Sequence, residues 1–123
     1  MHPTAHKGFI VAALLVATLA ACWGTFSMAD GAPRVIPVTA RKFKYTPQVI
    51  TLKKGVPVVL ELISLDRLHG FNAPGLGIRA DVMPGQTARV HILPQKTGTF
   101  PFHCDNFCGS GHQNMTGEII VVD

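Results

Sequence analysis

Residues 104–115 read Cys-Asp-Asn-Phe-Cys-Gly-Ser-Gly-His-Gln-Asn-Met and place two thiols, an imidazole and a thioether at spacings of 4, 4 and 3. Soft thiolate and thioether donors select copper, zinc or iron–sulfur clusters over magnesium or calcium. On a helix these four residues would share an arc of about 80°. Gly109 and Gly111 oppose that helix, since each costs about 1 kcal/mol in a helix interior relative to Ala. A tight loop that wraps its ligands round a metal is expected, with the rest of the chain as its scaffold.

Of the 123 residues, the first 29 do not read as domain. His2, His6 and Lys7 precede an apolar run over 9–21, the pattern of an export signal. Ser27-Met28-Ala29 is a small-x-small cleavage site, whereas Leu19-Ala20-Ala21-Cys22 matches a lipobox whose Cys22 would be acylated. Left uncleaved, the uncharged stretch 8–29 is long enough to span a bilayer. The organisation expected is therefore a signal or anchor over 1–29, a linker over 30–34 and one domain over 35–123, in a periplasmic or otherwise extracytoplasmic compartment.

Within that domain, short apolar and β-branched segments alternate with Gly and Pro turns. Strands are expected over 35–45, 49–52, 56–64, 78–82, 87–93, 99–103 and 117–122. The stretch 65–76, with Asp66, Arg67, Gly70, Asn72, Pro74 and Gly75, reads as a loop that carries His69. About seven strands without a competing helix give an all-β sandwich or barrel, of Greek-key type. Such a fold gathers its loops at one end, so His69 can meet ligands lying between the last two strands.

Several chemistries fit these residues. Two thiols in an oxidising compartment can form a disulfide, and an i to i+4 pair can reach the required Cα separation. Cys104, Cys108, His112 and His69 also make a Cys2His2 set suited to tetrahedral zinc, which leaves Met115 unexplained. A mononuclear blue-copper site would take His69, one Cys, His112 and Met115, leaving a thiol idle. His103, His91 and Met83 read as strand or loop residues rather than ligands.

The set His69-Gly70-Phe71, Val82-Met83-Pro84-Gly85 and Cys104-x3-Cys108-Gly109-x-Gly111-His112-x2-Met115-x-Gly117 resembles the copper domain of subunit II of haem-copper oxidases, a cupredoxin with a dinuclear Cu-A centre. The resemblance runs over most of 43–122. It implies two copper ions bridged by Cys104 and Cys108, with His69 and His112 as terminal ligands. Met115 would be a weak axial thioether, and the backbone carbonyl of Asn106 a weak ligand opposite. Many members carry Glu at the position of Asn106, and this chain lacks that carboxylate.

The function expected is an exported one-electron carrier without catalysis of its own; copper delivery and a structural role in a terminal oxidase are the alternatives. No nucleophile with an ordered base, paired carboxylates or phosphate loop is evident. The net charge of +4 comes from scattered Lys and Arg, densest at Arg41, Lys42, Lys44, Lys53 and Lys54. Without a recognition motif this excludes nucleic acid and suits an acidic redox partner, or a copper acceptor in the delivery reading.

Overall fold

Inward and outward residues alternate along most of these segments, as a half-buried strand requires. The computed structural model describes residues 32–123 and arranges them as nine strands. They are β1 (Arg34–Arg41), β2 (Lys44–Thr46), β3 (Val49–Lys53), β4 (Val58–Ser64), β5 (His69–Ala73), β6 (Ile78–Val82), β7 (Thr87–Ile92), β8 (Gly98–His103) and β9 (Thr116–Val122). One sheet runs β2-β1-β4-β7 and the other β3-β9-β8-β5-β6. The expected signal or anchor, Cys22 and the first linker residues lie outside the described residues. Among the described residues no helix is long and apolar enough to cross a membrane.

Ile50 and Leu52 of β3, Val38 and Ala40 of β1, and Ile119 and Val121 of β9 point inward between the sheets. The centrally placed β4 is buried along nearly its whole length, and its Glu61 reaches Arg89 of β7 at 3.4 Å. Tyr45, Phe71 and Phe102 pack edge-on or stacked with centroids 4.6 to 5.7 Å apart and are fully buried. This aromatic cluster lies beside the start of β5, where the Tyr45 hydroxyl donates to Gly70 O.

The sequence-based expectation differs in three places. The single strand over 35–45 is two strands: β1 breaks at Lys42 and Phe43, and β2 returns antiparallel with Ala40 opposite Tyr45. Phe43 leaves the sheet pattern, and its ring packs on Gly109 and Gly111. His69 is not in a loop but opens β5, which pairs with β6 along its length and meets β8 at Asn72 and His103. Gly70 and Asn72 carry the turn signal, yet fully buried Phe71 and Ala73 and a partner strand on each side override it. These two segments account for nine strands where about seven were expected. Arg34, assigned to the linker, is the first residue of β1, seven places of which pair in parallel with β4.

Candidate metal centre

The connection from β8 to β9 is closed at its base by the Cys104 N–H, which donates to the Met115 carbonyl at 3.0 Å. Its far side is a one-turn 3-10 helix, His112–Asn114, entered by the His112 N–H donating to Gly109 O at 3.1 Å. The Phe43 ring lies against the loop at Gly109 and Gly111. A Cβ on Gly111 would come within 2.2 Å of the Phe43 ring, so only glycine fits.

The closed loop brings its soft donors together. Cys104 Sγ and Cys108 Sγ are 3.6 Å apart, both thiols are unbridged, and both are buried. Cys108 Sγ lies 3.6 Å from His112 Nδ1 and 3.8 Å from Met115 Sδ. The Asn106 carbonyl accepts from the Cys104 thiol at 3.1 Å. From β5, His69 completes the group: its ligand nitrogen and the two sulfurs all lie within 4.8 Å of one another. Cys108, Met115 and His69 are fully buried, while His112 is half-buried beneath exposed Phe107, with ring centroids 5.9 Å apart.

His69 is held in one orientation by Asp66. Its Nε2 lies 2.6 Å from Asp66 Oδ1, so Nε2 carries the proton and Nδ1 presents a lone pair. Among the described residues, Nδ1 is the buried side-chain atom left without a hydrogen-bond partner. Buried polar groups are nearly always satisfied, and a metal ion would satisfy this one. The donor set of two thiols, two imidazoles and a thioether suits copper.

Partial burial works against the Asp66 carboxylate, but the Lys42 N–H, the His69 imidazole and the Arg67 N–H outweigh it and bring its carboxyl down to about 2. Burial, then the hydrogen bond with Cys104, pushes the Cys108 thiol up to about 11. Burial and the neighbouring Cys104 raise the Tyr45 phenol well above its ordinary value, and its hydroxyl donates to Gly70 O. The Gly70 N–H in turn donates to Cys104 Sγ at 3.3 Å.

All six residues singled out in the sequence, His69, Cys104, Asn106, Cys108, His112 and Met115, meet at this one place. His103 and His91 point to solvent from β8 and β7, and Met83 is exposed beyond β6. Sequence reasoning missed Phe43, Arg79 and Asp81, which contact the loop from elsewhere in the fold, and Asp66, which holds His69. Only Asp66 carried a local signal, three residues before His69.

The sequence matches the family model for the cupredoxin-like domain over residues 9–121. The chain belongs to the cupredoxin-like family. This cupredoxin is 37% identical over 84 residues to cytochrome c oxidase subunit 2 of Thermus thermophilus, a match covering 68% of this chain and 62% of that protein. It spans 50% of a second subunit 2 from the same species. Its fold is also that of the periplasmic domain of subunit II of cytochrome oxidase from Bradyrhizobium japonicum, with a TM-score of 0.69, 20% identity, and 75% of this chain and 86% of that chain covered. A mixed disulfide between thioredoxin-like TlpAs and subunit II of cytochrome c oxidase contains the same fold, with a TM-score of 0.63, 20% identity, and 75% of this chain and 84% of that chain covered.

Proposed function

We propose that this cupredoxin is an exported electron carrier whose dinuclear copper centre is held by the side chains of His69, Cys104, Cys108, His112 and Met115 and by the Asn106 carbonyl. The observation that carries this reading is the buried cluster of His69 with two thiols, in which the His69 Nδ1 has no hydrogen-bond partner. Copper bound there would supply a one-electron couple shared between two ions. The protein's part is to hold the donors still and dry. Asp66 fixes the His69 tautomer, the Gly70 N–H holds Cys104 Sγ in place, and Tyr45, Phe71 and Phe102 exclude water beneath the site.

Burial of His69, Cys108 and Met115 favours a carrier that retains its metal over a delivery protein that hands it on. The similarity to subunit 2 supports a place beside, or within, a periplasmic respiratory chain, with a redox protein as electron partner. Sulfurs 3.6 Å apart in an oxidising compartment are prone to form a disulfide. Loading copper then calls for a thiol reductant, and the mixed disulfide of the related subunit II with a thioredoxin-like protein supports one of that class.

Copper loading of the reduced chain, followed by metal analysis and EPR, tests the proposal. Two copper ions per chain and a delocalised seven-line signal are expected. A four-line spectrum at a copper-to-protein ratio near one would overturn it.

A further inference from the structure

Asp105 and Asn106 follow Cys104 directly, and both side chains turn to the same edge strand. Alternation puts Arg79 and Asp81 together on the exposed face of β6. Arg79 Nε donates to Asp105 Oδ2 at 2.7 Å and Nη2 donates to Asp105 Oδ1 at 3.1 Å. The same Nη2 lies 2.9 Å from Asp81 Oδ1, which also accepts from Asn106 Nδ2 at 3.0 Å. One guanidinium thus joins two carboxylates, and one of these holds the amide.

β5 stands between β8, from which the loop emerges, and β6. Asp105 crosses β5 at Gly70, where an added Cβ would lie 1.9 Å from Asp105 Oδ1. The crossing is open only because Gly70 has no side chain. β6 also pairs its Val82 with His69, so the network ties the thiol loop to the hairpin that presents the imidazole.

We propose that Arg79 and Asp81 are positioning residues: a clamp that closes over Gly70 and fixes the Asn106 carbonyl and Cys104 relative to His69. The consequence at the metal rests on the copper reading above; the clamp itself is a property of the polypeptide. An isolated exposed ion pair would do little. A bidentate guanidinium–carboxylate pair fixes orientation as well as distance, and here it is extended to a second carboxylate and an amide. With its side chain tied to Asp81, Asn106 cannot swing its carbonyl away from Cys104 Sγ without breaking that bond. The residue type follows: the Asn106 amide donates to Asp81, whereas Glu would set another carboxylate against it.

The test uses Arg79→Met, Arg79→Lys and Asn106→Leu in the full chain. In the reduced, metal-free protein, alkylation of Cys104 and Cys108 reads how often the loop opens. Arg79→Met and Asn106→Leu should each react about tenfold faster than the parent, with Arg79→Lys between them. Added salt should speed the parent and leave Arg79→Met unchanged, because salt screens the exposed charges of the clamp. After copper loading, Arg79→Met should keep the copper-to-protein ratio, and the reduction potential and hyperfine splitting should shift in both Arg79→Met and Asn106→Leu.

Alkylation rates, salt response and potentials equal to the parent's in both variants would overturn the clamp. If Arg79→Met does not fold, Asn106→Leu, which keeps the ion pairs, decides on the same alkylation and potential readouts. A mononuclear spectrum in the parent would remove the dinuclear reading and leave the clamp to be judged on the metal-free alkylation rates.

Discussion

His69 and Met115 are equally buried but are asked to do different things. Asp66 accepts from His69 Nε2 and so leaves the lone pair on Nδ1. Removing such a partner usually lowers metal affinity by about 10–100-fold. Asp66→Ala is expected to fall in that range and Asp66→Asn, whose amide oxygen still accepts, to lose less. A competition titration against a copper chelator measures both, and equal affinities for parent and Asp66→Ala would remove Asp66 from the site. Met115 Sδ touches Cys108 Sγ at 3.8 Å and fills a closed corner of the core. Met115→Leu conserves volume, so it should cost less than about 1.5 kcal/mol in stability. Copper should stay bound with a shifted potential, and complete copper loss in that variant would refute the role of a weak axial thioether.

Between elements, the decisive contact is the β1–β2 turn against the β8–β9 connection. Phe43 occupies the space that a side chain at position 111 would need. Gly111→Ala should therefore cost about 1–3 kcal/mol, as overpacking does. Phe43→Ala combined with Gly111→Ala should recover most of the Gly111→Ala loss, a coupling that denaturant melts of the four proteins would resolve. Strictly additive losses would mean that the loop and the turn do not lean on each other. The same contact shows what a sequence can and cannot reveal. Gly109 and Gly111 announced a loop because glycine opposes a helix, a local effect. That Phe43 was the reason for Gly111 was illegible, since the two are far apart in the chain. β3, β6, β7, β8 and β9 were legible from alternation and turn residues. β5 was not, because Gly70 and Asn72 carry turn propensity and only pairing with β6 and β8 makes them strand. The residues that gather at the candidate centre were legible as a cluster of soft donors, whereas Arg79, Asp81 and Phe43 act through tertiary contacts that no spacing encodes.

For the molecule as a whole, copper held as proposed would join the β8–β9 connection to β5 across the end of the sandwich and replace thiol protons by metal. Burial holds the proton on Cys108 up to about 11, above its ordinary value of 9.0. A thiol with a raised pKa in the folded state adds stability below the unfolded value, and that stability is lost as pH rises through the folded one. The metal-free protein should therefore lose melting temperature between about pH 9 and 11. Buried Tyr45, also raised, acts in the same direction at higher pH and does so with or without metal. Once copper is bound Cys108 has no proton to lose, so the loaded protein should keep its melting temperature through the lower part of that window. The gap between loaded and metal-free proteins should thus widen as pH increases, beyond the stabilisation that ligand binding gives at any pH. Thermal melts of both forms across the window, with metal-free Cys108→Ser as the control that lacks the thiol, measure it. A gap that stays constant with pH, or a Cys108→Ser protein that melts with the same alkaline slope as the parent, would show that the buried thiol does not govern the alkaline limit.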